Sequence, residues 1–80
     1  SSSAGDAAAE VAPLIAMGEE VLAAGDAPRA VGIFAQLADM APDNPAVHAG
    51  LVRALVLAGD VEGAAAALAA VPEAIASDAS

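Results

Sequence analysis

The chain has no cysteine, no lysine, no tryptophan, no tyrosine and a single phenylalanine among its 80 residues. Without cysteine there is no disulfide framework, no thiolate metal site and no thiol chemistry, a composition compatible with a reducing compartment. Without lysine, two arginines stand against eleven carboxylates, for a formal net charge of −9. Such a chain has no basic surface with which to neutralise a phosphate backbone or anionic headgroups, so nucleic acid and membrane are not expected as partners. The near-absence of aromatics means that the 59% hydrophobic content is mostly alanine, which supplies helix propensity more than bulk for a deep core. Long apolar runs are missing too. The stretch over residues 64–71 falls far short of the roughly 20 residues that span a bilayer, and no signal-like segment precedes it.

What is present is a repeat. Gly25-Asp26 recurs as Gly59-Asp60 at a spacing of 34 residues, inside the phrases Leu22-Ala23-Ala24-Gly25-Asp26 and Val56-Leu57-Ala58-Gly59-Asp60. At the same offset Val21 pairs with Leu55, Ala30 with Ala64, Phe34 with Leu68, Leu37 with Val71 and Asn44 with Asp78. A fixed period of this length is the signature of stacked supersecondary units. Each phrase puts glycine where a left-handed cap ends one helix and aspartate where a side-chain oxygen can cap the next. The other break is Pro42-Asp43-Asn44-Pro45, with Asn44 as N-cap and Pro45 at the first helical position, where its missing N–H is not needed.

Four helices follow, over 11–24, 27–40, 45–58 and 61–71. Pro13 suits the first turn of the first of them, so residues 1–10 read as a linker or tag remnant without order, the alternative being an extra turn capped by Asp6 that Pro13 then bends. Pro72-Glu73-Ala74-Ile75 is placed to begin a short fifth helix. Leu14, Met17, Val21 and Leu22, and again Val47, Leu51, Leu55 and Val56, keep the helical spacing of three to four residues. Loops of two to four residues force antiparallel neighbours. The expected fold is therefore all-α, two antiparallel helix hairpins in tandem over residues 11–44 and 45–78.

These residues resemble the tetratricopeptide repeat, a 34-residue unit that stacks into a right-handed α-solenoid. The first unit supplies Gly18 at the family's small position, then Gly25-Asp26, Ala30, Phe34 and Pro42. The second supplies Gly59-Asp60, Ala64 and Leu68, but has Val52 at the small position and Ala76 in place of the closing proline. More narrowly, Leu22-Ala-Ala-Gly-Asp, Ala41-Pro-Asp-Asn-Pro-Ala, Leu55-Val-Leu-Ala-Gly-Asp and Ala70-Val-Pro-Glu look like the helical tail of bacterial thioredoxin-like co-chaperones. That resemblance implies a cytoplasmic segment of a longer protein that holds unfolded clients, with any redox chemistry outside these residues.

In the family, the first helix of each unit lines a concave groove. By that resemblance the groove here is formed by Ala12, Ile15, Glu19 and Leu22, then Ala46, Ala49, Arg53 and Val56, with Ala16, Ala23, Gly50 and Leu57 beside them. It is apolar and nearly uncharged. Domains of this family that clamp acidic peptide tails need several basic side chains there for charge-assisted bonds, and only Arg53 is available. Partner or client segments with apolar side chains fit better, in the helix-in-groove manner. The competing reading is that Ile15, Leu22, Val56 and Leu57 simply form the core or the contact between repeats. Glu19 and Arg53 occupy the same unit position and are placed to face each other across the groove.

No catalytic, cofactor or metal site is expected. His48 is the sole imidazole, and its spacing to Asp39 and Asp43 matches no strong ligand motif. Glu19 and Glu20 are adjacent on a helix and point about 100° apart, so they cannot converge as acid and base. The serines all lie in terminal segments without a nearby base. The helix over 61–71 carries one charge, Glu62, and its exposed face is expected to be covered by further chain or by self-association into a homo-oligomer.

Overall fold

The computed structural model describes the backbone of residues 3–79 and the side chains of residues 9–71. It contains four helices, α1 (Ser3–Ala23), α2 (Ala27–Met40), α3 (Pro45–Leu57) and α4 (Val61–Ala79). Helix α1 packs on α2 and α3 on α4, while α3 also contacts α2 and, more lightly, α1. The Cα trace extends 40 × 25 × 13 Å. Its least dimension is that of two helices in contact, an interaxial distance of about 8–10 Å plus the width of a Cα cylinder of about 4.6 Å, so the core depends on close approach of helices rather than on depth.

The two Gly-Asp phrases form the same turn twice. Gly25 (φ 87°) and Gly59 (φ 85°) take the left-handed conformation. In the first turn the amide of Gly25 donates to Leu22 at 3.0 Å and that of Asp26 to Val21 at 3.2 Å. In the second, Gly59 donates to Val56 at 3.0 Å and Asp60 to Leu55 at 2.9 Å. Both are Schellman motifs, in which glycine lets the chain reverse while the last helical carbonyls keep partners. Alanine at either position is expected to cost about 1–2 kcal/mol, because a Cβ disfavours this region. Gly32 lies inside α2 with nothing within 4 Å of an added Cβ, and Gly32→Ala should instead stabilise by about 0.5–1 kcal/mol. Thermal melts in which Gly25→Ala and Gly32→Ala shift Tm in the same direction would contradict this account.

The caps differ in detail. The Asp60 carboxylate accepts from the amide of Gly63 at 2.9 Å, as an N-cap aspartate should. Asp26 makes no side-chain cap bond, contrary to the expectation for both phrases; the position equivalent to Gly63 is there Arg29, one residue after Pro28. Asn44 does cap α3, accepting from Ala46 at 3.0 Å, with Pro45 in the first turn. Helix α2 stops before Ala41, which precedes Pro42 and takes φ −138°, ψ 69°, consistent with the bias that proline places on its predecessor.

Two boundaries depart from expectation. Helix α1 starts at Ser3, so residues 3–10 are helical rather than linker and Pro13 is interior; Ser1 and Ser2 lie outside the described residues. An interior proline forfeits a backbone bond at a cost of about 3 kcal/mol. Val11, just upstream, is buried, and burying its side chain returns about 1.5–3 kcal/mol, with alanines at 7–9 favouring helix around it. At the other end α4 runs unbroken to Ala79, so there is no separate fifth helix from Pro72. Pro72 is then interior to α4, as Pro13 is to α1, and the alanine-rich sequence on both sides of it carries the helix on by propensity.

The core centres on Phe34, fully buried on α2, with Val11 and Leu22 from α1, Ala30 and Leu37 from α2, Ala41, and Val47 and Ala54 from α3. Gly18 of α1 and Gly50 of α3 hold the Phe34 ring from two sides. His48 is buried, and its Nε2–H donates to the carbonyl of Pro42. That bond fastens the turn between the hairpins to α3 and satisfies the only buried polar side chain among the described residues.

Candidate protein-interaction cleft

Helices α1 and α3, the first of each hairpin, flank a cleft of about 470 Å³. Glu19, Leu22 and Ala23 line it from α1, and Val52, Arg53, Val56 and Leu57 from α3. Both helices are held there by their hairpin partners and by the Phe34 ring between Gly18 and Gly50. Leu22 forms a buried floor, whereas Val56 and Leu57 are 56% and 51% exposed. Single exposed side chains of this size are ordinary; here two of them adjoin a buried leucine in one cleft, and contiguous apolar surface is what marks interaction sites.

The structure brings together four of the eight expected groove residues, Glu19, Leu22, Arg53 and Val56, with Ala23 and Leu57 beside them. Ile15 is half-buried and packs against the core instead. Ala49 lines a separate recess between α3 and α4, together with Arg53. Ala12 and Ala46 are exposed and lie outside the cleft lining. Gly50 faces the core under Phe34, not the groove. Of the residues that the competing reading gives to the core or to the contact between repeats, Leu22 and Ile15 pack in or against the core, whereas Val56 and Leu57 are half-exposed.

The resemblance marks Val52 only as a departure from the small residue of its unit position. It lines the cleft and the α3–α4 recess alike. In that recess it faces Leu68, the unit equivalent of Phe34, as Gly18 faces Phe34 in the first hairpin. A smaller recess between α1 and α2, of about 190 Å³, is bordered by the exposed Met17 and Met40.

The cleft holds one carboxylate and one guanidinium, and its other lining is aliphatic. It offers no cluster of cations for an acidic tail, since Arg29, the other arginine, lies on α2 and does not line it. Among the described residues no group of three or more histidine, aspartate or glutamate side chains gathers to hold a metal ion. Nor is any helix among them long and apolar enough to cross a membrane.

Two helix hairpins related by a 34-residue period, joined by matching Schellman turns and opening an apolar cleft between their first helices, define an α-helical repeat domain of the protein-interaction class. The family profile described as tetratricopeptide repeat matches residues 21–80, and the chain belongs to that family. Tetratricopeptide domains generally bind protein partners, which makes this chain a protein–protein interaction module. Searches of curated proteins and of solved structures returned no match.

Proposed function

We propose that the α1–α3 cleft binds apolar segments of a partner or client protein, without catalysis and without a cofactor. The observation that carries this reading is the pair Val56 and Leu57, half-exposed above the buried Leu22 in a cleft with a single cation. An extended or helical segment that inserts aliphatic side chains there removes apolar surface from water on both sides. The resemblance to the helical tail of thioredoxin-like co-chaperones supports unfolded chains as the ligand and the cytoplasm as the setting.

Val56→Asp and Leu57→Asp test it, because both positions are exposed and the fold should survive. Leu22→Asp would not serve, since Leu22 is only 8% exposed and its replacement would damage the core. Binding of a fluorescently labelled, reduced and carboxymethylated protein, unfolded under native conditions, can be followed by anisotropy. Each substitution should weaken it by about tenfold or more, the equivalent of about 1.4 kcal/mol, by forcing a carboxylate out of water. Binding should persist at high salt, which an acidic face docked on a basic partner would not allow. Unchanged affinity in both variants would remove the cleft from the function and leave a purely structural role for the hairpins.

A further inference from the structure

The second hairpin repeats the first with one surface left uncovered. Along α2, Ala27 and Phe34 are buried and Val31 between them is half-buried. Their equivalents 34 residues on, Val61, Ala65 and Leu68, are all exposed. Val61 at 69% and Leu68 at 61% exceed every other exposed large hydrophobic side chain among the described residues. Each hairpin has its own first helix in place, so the difference comes from the helix that follows: Phe34 lies under Gly50 of α3, and α4 has no such successor among the described residues. A recess of about 320 Å³ between α3 and α4 includes Ala49, Val52, Leu68 and Val71 in its lining. Moved back by one repeat these are Ile15, Gly18, Phe34 and Leu37, the surface that surrounds the seat of α3.

The bare stripe has the form of a helix seam. Val61, Ala65 and Leu68 are spaced by four and three residues, the pattern of paired helices, and α4 carries no charged residue from Gly63 to Val71. The charges of the chain lie elsewhere.

Few helices fit the seat. A successor in register would need a turn at residues 75–78, the equivalents of Ala41 to Asn44, but α4 passes through them as helix. The α1 helix of a second copy is unsuited. Where α3 presents the buried Val47, Gly50 and Ala54, α1 has Pro13, Ala16 and Glu20, all exposed, and docking would set the Glu20 carboxylate where α3 has the fully buried Ala54. The equivalent face of α3 is already occupied within its own chain. Helix α2 carries Arg29, Gln36 and Asp39 among its exposed residues, whereas helix α4 of a second copy is uncharged over the same span and alternates alanine with leucine and valine along the stripe.

We infer that two copies of this chain associate α4 against α4, antiparallel about a two-fold axis between residues 65 and 68, each Leu68 seated against the other copy's Ala65. The contact is isologous, so it closes at the dimer. Repulsion between two chains of net charge −9 opposes it and is screened by salt, so association tightens as ionic strength rises.

Sedimentation equilibrium reads this directly. At about 100 µM chain and roughly 0.5 M salt the protein should have the mass of a dimer. Leu68→Glu puts a carboxylate from each copy into the seam and should weaken the dimer by about tenfold or more, with the helical circular dichroism retained. Leu57→Glu, in the cleft, should leave the mass unchanged. If Leu68→Glu loses helical signal, Val61→Glu probes the same seam at a still more exposed position. A monomer under these conditions overturns the inference and leaves the seat to a helix of another protein. A dimer insensitive to both seam substitutions, or one broken equally by Leu57→Glu, places the interface elsewhere and overturns it too. None of these outcomes depends on client binding at the α1–α3 cleft.

Discussion

Phe34→Ala should take about 3–5 kcal/mol from the stability of this protein, the usual cost of truncating a fully buried aromatic. A domain of this length has only about 4–12 kcal/mol in total, so the variant is expected to be largely unfolded or to melt far below the parent. The ring is fully buried, it is the sole aromatic of the chain, and from α2 it lies against both Gly18 of α1 and Gly50 of α3. The neighbours across the ring are glycines and offer no side chains that could collapse into the void, which places the loss toward the upper end of that range. Leu68→Ala supplies the contrast. It occupies the same unit position but is 61% exposed, and in dilute solution its truncation should change stability by no more than about 0.5 kcal/mol. Urea unfolding followed by circular dichroism measures both. Similar losses in the two variants would mean that the hairpins are energetically equivalent and that Phe34 is not the keystone of the fold.

The parts of this fold legible in the sequence are those that local chemistry determines. The Gly-Asp phrases announced two turns, and both glycines adopt positive φ. Asn44 and Pro45 announced the start of α3, and the observed cap bond is there. The bounds of α2 agree to the residue, because Asp26 and Pro28 open it and Ala41-Pro42 closes it. The outer ends were not legible, because they depend on what a helix gains from the rest of the fold. Val11 keeps α1 helical on the far side of a proline, and α4 runs on past Pro72 through alanine-rich sequence. In the cleft, the family resemblance pointed to Glu19, Leu22, Arg53 and Val56 but could not tell floor from rim, which is the difference between Leu22 and Val56. Gly50 was assigned to the groove because its position follows the first-helix pattern. That it lies under Phe34 is a contact between residues 16 apart on different helices, and no spacing within one helix reports it.

Gly50→Ala should therefore destabilise, although glycine to alanine inside a helix ordinarily gains about 0.5–1 kcal/mol. A Cβ at Gly50 would lie 2.5 Å from Cζ and 2.6 Å from Cδ1 of Phe34, closer than carbon atoms approach. The ring cannot give way, being fully buried, so α3 must move off α2. Overpacking of this kind costs about 1–3 kcal/mol, enough to reverse the sign. Gly18→Ala meets the same ring at 2.9 Å and should be the milder of the two. Phe34→Leu removes the Cε and Cζ atoms that clash, so combining it with Gly50→Ala should cost at least about 1 kcal/mol less than the two separate losses summed, a coupling well outside the additivity expected of independent sites. A strictly additive cycle would refute the contact. The displacement also has a functional reading, because α3 carries Val52, Arg53, Val56 and Leu57 into the cleft. Gly50 does not touch that cleft, yet it sets how closely α3 approaches α2 and hence where one wall stands relative to α1. Under conditions where Gly50→Ala is still fully folded, capture of an unfolded chain by the cleft should weaken, and Phe34→Leu should restore part of it.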